Sequence, residues 1–220
     1  MSVVDVKKNP GPFTGWTELP RKTVAMELVE RFYLLGLFGY FLHNMLGNAG
    51  FSAATILLIM SEILPLLLVF SRGPSETLSL KPGDWFFGIA GASAPLLAIK
   101  IQAEPLLPFA FCLALMLIGF AVQVSGKLFL GRSFGVIAAN RGVKFRGPYR
   151  IVRHPIYAGY TLTHIGFLLI NPAWWNFALY STALGLQIVR ILKEERVLSE
   201  DPAYREMKQR VPYRLLPKVF

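Results

Sequence analysis

The chain has 220 residues, of which 54% are hydrophobic and 16% are charged, and its mean hydropathy is +0.47. This is more apolar surface than one soluble core of this size normally buries, so most of it is expected to face lipid. The formal net charge of +10 is accounted for by membrane orientation and attraction to anionic headgroups, and no nucleic-acid partner is expected. The single cysteine, Cys112, excludes an intrachain disulfide and a multi-cysteine metal site.

Six apolar stretches follow a polar amino-terminal tail that has no signature of a removable signal peptide. They are Val24 to Leu46, Phe51 to Phe70, Trp85 to Ile101, Leu106 to Val124, Ile156 to Ile170, and Ala173 to Ile191. Several are shorter than the ~20 residues that a perpendicular membrane helix needs. Because only Asn171-Pro172 separates the last two, we expect them to form a tight helical hairpin with Trp174 and Trp175 at an interface.

The distribution of positive charge tests this count of spans. If the amino terminus is cytoplasmic, all but Lys100 of the 23 Lys and Arg residues lie in the cytoplasmic segments 1–31, 71–84, 125–154 and 190–220. The positive-inside rule then favours an even number of spans with both termini in the cytoplasm. The sequence therefore predicts an all-α, polytopic membrane protein with about six membrane-embedded helices.

The chain shows no internal repeat and is interpreted as one integral membrane domain, residues 1–220. We expect residues 1–110 to be mainly structural and residues 111–220 to hold the cofactor-binding and catalytic half. The thirty residues between the fourth and fifth spans alternate glycines with cations. These are Gly126, Gly131, Gly135, Gly142 and Gly147, with Lys127, Arg132, Arg141, Lys144, Arg146, Arg150 and Arg153. Such a loop suits an anionic or phosphate-bearing ligand, and equally a solvated loop that holds topology.

Pro155 suits the first turn of the fifth helix, where its missing N–H would be unpaired in any case. Arg153, His154 and Tyr157 then surround the amino terminus of that helix. Free backbone N–H groups and the positive end of the helix dipole favour a carboxylate or phosphate there. A lone histidine at a helix start is more often a capping or packing residue, so the functional interpretation of His154 depends on its neighbours.

On the sixth helix, Gln187, Arg190 and Glu194 recur at spacings of three and four and share one face. One interpretation is an Arg190–Glu194 ion pair at the membrane edge. The other is a functional site, because polar groups at membrane depth are costly and usually mark a site or pathway. Glu195 points about a quarter turn away and could serve a second ligand.

Two further polar residues lie within the apolar stretches. Glu62 is expected to bond to His43 or Asn44 across a helix interface, and His164 to hydrogen-bond to neighbouring residues. Neither is assigned a catalytic role.

Several motifs together resemble those of the integral membrane methyltransferases of the isoprenylcysteine carboxyl methyltransferase and phospholipid methyltransferase superfamily. They are "LGRSFGV", "RGPYRIVRHPIYAGY", "RILKEERVL", Tyr204 and "VPYRLLP", spread over about residues 126–220. Each motif is weak alone, whereas the combination of Arg-His-Pro-x-Tyr-x-Gly with a later glutamate pair is specific.

The resemblance implies that S-adenosylmethionine is held near the cytosolic face. By position in the motifs, the residues implied to line the cofactor pocket are Tyr149, Arg153, His154, Tyr157, Gly159 and Glu195. Arg190 and Glu194 are implied to lie beside the reacting groups as catalytic residues. No metal is expected.

The implied acceptor is a lipophilic molecule that enters from the bilayer. It is left open among a prenylated cysteine carboxylate, a small isoprenoid and a phospholipid amine. A carboxylate needs no general base and would be oriented by Arg190. An amine must first lose a proton, which Glu194 or His154 would take. The short amino-terminal half is similar to that of prokaryotic members, so we expect a multi-pass protein of a prokaryotic plasma membrane.

Two other functions stay open at this point. Membrane sterol reductases resemble the same carboxy-terminal region, so an NADPH-dependent reductase is the nearest enzymatic alternative. The chain could also be a non-catalytic membrane protein whose cationic motif binds lipid headgroups.

Overall fold

The computed structural model describes residues 21–47, 52–71, 82–101, 103–130 and 145–220. The amino-terminal tail lies outside this range. So does most of the predicted basic loop, including Gly131, Arg132, Gly135, Arg141, Gly142 and Lys144. Within the described residues every regular element is a helix, which confirms the all-α prediction.

Seven α-helices make up the described fold. They are α1 (Arg21–Gly47), α2 (Ala53–Ser71), α3 (Pro82–Ser93), α4 (Phe109–Leu130), α5 (Pro155–Ile170), α6 (Trp174–Leu198) and α7 (Pro202–Arg210). The first six correspond to the six apolar stretches. Helix α6 continues past the predicted end at Ile191, so Glu194 and Glu195 lie on regular helix. The short polar helix α7 was not predicted.

Two helices in the described part of the chain are long and apolar enough to cross a membrane, Ala53–Phe70 of α2 and Phe109–Leu130 of α4. Two shorter segments are also apolar, Phe86–Leu97 and α5. These four lie where spans were predicted. The count of six spans and the cytoplasmic location of both termini stay predictions.

One hydrophobic core joins the two halves of the chain. Its buried side chains include Phe41 of α1, Leu58 of α2, Met116 of α4, Phe167 of α5 and Tyr180 of α6. The amino-terminal helices therefore pack against the helices that carry the predicted site, and the mainly structural role of residues 1–110 stays a prediction.

Glycines bring α4 and α5 into backbone contact. A Cβ atom at Gly119 would lie 2.6 Å from the Thr163 backbone nitrogen, and one at Gly159 would lie 2.6 Å from the Gln123 backbone nitrogen. A Cβ atom cannot lie this close to a backbone nitrogen, so the approach of these two helices requires glycine at both positions. Residues 171–173 join α5 to α6 by a short connection, yet α5 packs far more extensively against α4 than against α6. The predicted hairpin is thus short in its turn but loosely paired along its length.

We expect Gly119→Ala to destabilise the fold by about 1–3 kcal/mol, because the added methyl group forces two helix backbones apart. The measurement is chemical or thermal unfolding of the protein in detergent, followed by circular dichroism. Gly185→Ala is the control, since a Cβ at this α6 position meets no atom within 4 Å. It should leave stability unchanged or raise it by up to about 1 kcal/mol. Equal stability of the two variants would contradict close α4–α5 packing.

Candidate functional site

The segment that precedes α5 contains a glycine with positive φ, which sets the direction of the backbone. Gly147 has a φ of +58° and begins a short 3₁₀ turn, Gly147–Arg150. A Cβ at this position would lie 2.4 Å from the Phe129 ring, so a side chain is excluded both by backbone strain and by space. The turn leads to His154 and to Pro155, which occupies the first position of α5 as predicted. Arg153 and His154 therefore lie immediately before the first turn of α5.

A segment near the carboxy-terminal end of the sequence holds these two residues in place. The Arg153 and His154 backbone N–H groups donate to the carbonyl oxygens of Tyr213 and Arg214, each at 2.9 Å. The Arg153 guanidinium donates through Nη1 to the Val211 and Pro212 carbonyl oxygens, each at 2.7 Å. Arg153 and His154 are both buried. Their positions thus depend on a segment nearly sixty residues away in sequence.

The Glu195 carboxylate is the hub of the site. Its Oε1 accepts a hydrogen bond from Arg153 Nε at 2.9 Å and lies 3.3 Å from His154 Nε2. Its Oε2 accepts from Arg214, at 3.1 Å from Nε and 3.0 Å from Nη2. Burial alone would raise the pKa of Glu195. The hydrogen bonds and positive charge of His154 and Arg153 outweigh burial and lower that pKa from 4.5 to about 2.

Glu194 organises the neighbouring side of the site. Its Oε1 accepts from the Tyr157 hydroxyl at 2.7 Å and from Arg190 Nε at 3.1 Å. His154 Nδ1 lies 3.9 Å from Glu194 Oε2, so the imidazole is placed between the two glutamates. The Arg190 guanidinium also lies over the Tyr157 ring, 5.5 Å from its centroid. The predicted Arg190–Glu194 ion pair exists, but it belongs to a larger cluster.

Tyr149 lies at the edge of this cluster. Its ring is buried against Tyr204 and Met207 of α7. Burial and the nearby Glu194 carboxylate raise the pKa of Tyr149, so its hydroxyl stays protonated. Burial and the Glu195 carboxylate likewise raise the pKa of Tyr204. Tyr149 thus stands beside the glutamate pair, as a wall of the pocket would, and its contact with a cofactor stays a prediction.

Seven of the eight predicted site residues converge, and Gly159 differs from the rest. The converging residues are Tyr149, Arg153, His154, Tyr157, Arg190, Glu194 and Glu195. Gly159 instead packs against α4, close to Gln123 and Gly119. This packing is sufficient to explain why glycine occurs there, and its contact with a cofactor stays a prediction.

The sequence interpretation missed Arg214 and misplaced the partner of Glu62. Arg214 belongs to the "VPYRLLP" motif, but nothing in its spacing indicated that its side chain would reach Glu195. Glu62 was predicted to bond to His43 or Asn44, and this was wrong: its Oε1 lies 3.2 Å from His164 Nε2. The bond joins α2 to α5, a pairing that only helix packing could determine.

The charges of this cluster are complementary to those of a ligand with both positive and negative groups. It offers two adjacent carboxylates, one of them kept ionised by Arg153 and His154, and the partly exposed guanidinium of Arg214. In the part of the chain that the structure describes, no group of three or more His, Cys, Asp or Glu residues is arranged to hold a metal ion. The cluster lies where α5 begins and α6 approaches its end, next to helices apolar enough to cross a membrane.

Residues 107–205 match the family model of phospholipid methyltransferases. The matched region contains all of α4, α5 and α6 and every predicted site residue. This match confirms the resemblance inferred from the motifs, because it shows that the region is similar to phospholipid methyltransferases. No curated protein matches the chain.

The depressed pKa of Glu195 predicts a pH dependence of stability. A carboxylate whose pKa is lowered by folding stabilises the fold above its ordinary pKa of 4.5 and loses this effect as the pH falls towards about 2. The difference in unfolding midpoint between wild type and Glu195→Gln should therefore be constant from about pH 7 to 5 and shrink below about pH 4.5. Glu206→Gln, at an exposed ion pair with Arg210, is the control and should differ little at any pH. A pH-independent difference for Glu195→Gln would contradict the assignment.

Proposed function

We propose that this protein is an S-adenosylmethionine-dependent methyltransferase that modifies a lipophilic acceptor at the cytosolic face of the membrane. The observation that carries the proposal is the convergence of the α5 start on Glu194 and Glu195, within a region that matches phospholipid methyltransferases. The location of the protein in a prokaryotic plasma membrane belongs to the same proposal.

The donor side is assigned to Glu195 and its partners. S-adenosylmethionine supplies an activated methyl group on a sulfonium, and it also bears an ammonium and a carboxylate. An ionised glutamate suits the positive groups, and Arg214, as the more exposed arginine beside Glu195, suits the carboxylate. Arg153 and His154 hold Glu195 in one orientation. Tyr149 and Tyr157 provide aromatic walls beside these charges.

The acceptor side is assigned to Arg190, Glu194 and Tyr157. Methyl transfer from a sulfonium is an in-line displacement, so the protein must mainly align the acceptor and exclude water. For a carboxylate acceptor, Arg190 orients the nucleophilic oxygen. For an amine acceptor, Glu194 takes the proton that must leave nitrogen before its lone pair attacks, with His154 beside it. Tyr157 and Arg190 hold the Glu194 carboxylate in position for either task.

The packing of the helices supports access from the bilayer. Because α5 packs closely against α4 and less extensively against α6, the proposed entrance for the acceptor lies between α5 and α6, beside Arg190 and Glu194. A lipid acceptor would enter along this seam, whereas the charged donor would arrive from the cytosol. The site must therefore lie where the two routes meet.

Calorimetry of the protein in detergent should detect binding of S-adenosylmethionine and S-adenosylhomocysteine. His154→Ala and Glu195→Ala should weaken that binding by roughly ten- to a hundredfold, because each breaks buried hydrogen bonds to a charged group. Thr182→Val on α6 is a matched control, since its hydroxyl donates only to the Ala178 carbonyl at an exposed position, and it should bind normally. Binding of NADPH instead would indicate a reductase. Binding of neither ligand by folded protein would favour a non-catalytic lipid-binding protein.

Glu194→Gln should separate the two acceptor chemistries. It retains the size and hydrogen-bonding capacity of the side chain but cannot take a proton. With an amine acceptor, methyl transfer should fall by roughly a hundredfold or more while donor affinity stays within a few fold. With a carboxylate acceptor, Arg190→Lys should instead cause the larger loss, because a paired hydrogen bond is replaced by a single charge. The measurement is transfer of tritiated methyl groups from S-adenosylmethionine into extracted membrane lipids. If both variants transfer methyl groups as fast as wild type, the assignment of Arg190 and Glu194 to the acceptor site is wrong.

A further inference from the structure

A second polar cluster lies deeper among the helices than the glutamate pair. Glu62 of α2 is hydrogen-bonded to His164 of α5, and both side chains are buried. The His164 ring is stacked between two tyrosines, with ring centroids 5.9 Å from Tyr160 and 4.5 Å from Tyr180. On the other side, Lys127 of α4 places its ammonium 4.5 Å from the Tyr160 centroid. Side chains of α4, α5 and α6 thus form one stack in the order Lys127, Tyr160, His164 and Tyr180, and Glu62 of α2 is bonded to it.

Hydrogen bonds tie this stack to the rest of the bundle. Lys127 donates to Gln123 Oε1 at 2.9 Å, and Gln123 Nε2 donates to Ser61 Oγ at 2.6 Å, next to Glu62. A closed ring of contacts therefore runs through α2, α4 and α5.

The stack is connected to the proposed acceptor site through one face of α5. Tyr157, Tyr160 and His164 recur at spacings of three and four, so their side chains line the same side of the helix. The Tyr160 ring lies 5.9 Å from the His164 ring, centroid to centroid, and Tyr160 is one helical turn from Tyr157. Tyr157 in turn donates to Glu194. Tyr160 is thus the link between the deep pair and the glutamate that faces the acceptor.

Packing alone does not explain why this cluster is ionisable. Polar and charged groups at membrane depth are costly, and a buried ion pair is often no more stabilising than apolar residues of similar volume. Helices α4 and α5 are already fixed to one another by glycine contacts. The hydrogen bond between Glu62 and His164 is directional, so it orients the side chains on the face of α5 that is turned toward α6.

We propose that Glu62 and His164 are positioning residues of the methyltransferase site, acting through Tyr160 to orient Tyr157 and Arg190 around Glu194. This inference depends on the proposed function. Neither residue touches the reacting groups. Together they keep Tyr157 on α5 aligned with Arg190 and Glu194 on α6. The consequence is an energetic coupling between the deep pair and ligand binding at His154 and Glu195.

The coupling can be observed by NMR, because the chain has three histidines, His43, His154 and His164. We expect S-adenosylhomocysteine to shift the imidazole signals of His154, at the site, and of His164, through the stack. The signals of His43, which is exposed on α1, should stay in place. His164→Phe assigns the His164 signal. In Tyr160→Leu, the His154 shift should persist and the His164 shift should vanish.

Affinity measurements separate positioning from simple support of the fold. Glu62→Leu and His164→Phe should raise the dissociation constant of S-adenosylhomocysteine by roughly two- to thirtyfold. Glu62→Gln, which retains the hydrogen bond to His164, should stay within about twofold of wild type. Thr55→Val is the matched control on α2, since this buried hydroxyl contacts Ser52 away from the stack, and it should bind normally.

The double variant Glu62→Leu/His164→Phe decides between the two roles. If the pair only fills space, replacing both partners with apolar residues should restore wild-type affinity, and this result would overturn the proposal. If the pair orients Tyr160, the double variant should bind as weakly as the single variants although it is folded. The proposal would also be overturned if S-adenosylhomocysteine shifted the NMR signal of His154 but not that of His164. Failure of wild type to bind S-adenosylhomocysteine at all would instead reject the proposed function.

Discussion

The Glu195 carboxylate holds together three parts of the chain that are distant in sequence. Arg153 and His154 reach it from the start of α5, Glu195 itself lies near the end of α6, and Arg214 approaches from the segment after α7. A buried carboxylate is costly unless its oxygens are paired, and here both are. The same contacts keep it ionised, so one interaction determines both the geometry and the charge of the site.

A second constraint comes from the unequal packing of α5 against its two neighbours. Glycines allow the α4 and α5 backbones to touch, so α5 behaves as part of a rigid pair. The contacts of α6 with α5 include polar and aromatic side chains, Tyr157 with Glu194 and His164 with Tyr180, beside the apolar contacts of the core. In the proposed methyltransferase, α4 and α5 would form a fixed wall, and the lipid acceptor would enter between α5 and α6, which pack less extensively.

Much of the fold could be predicted from composition and pattern. Long apolar segments are forced to become helices in a membrane, because no water is present to satisfy the backbone. The motifs indicated residues Arg153, His154, Tyr157, Arg190, Glu194 and Glu195, and the structure brings these together. The hairpin of α5 and α6 was predicted too tight, because a short connection limits the distance between helix ends but not the packing along their length. Helix α7 was missed because it is short and polar, with no apolar segment to mark it.

The sequence by itself determined the helical class, the approximate helix positions and the identity of most polar groups near the site. These properties depend on local hydrophobicity and on chemical type, which each segment carries independently of the others. Only the tertiary structure decided that Arg214 pairs with Glu195, that Glu62 pairs with His164 rather than His43 or Asn44, and that Gly159 faces α4. Those outcomes depend on the rotation and separation of whole helices, which are set jointly by glycine contacts and buried hydrogen bonds and have no local signature in the chain.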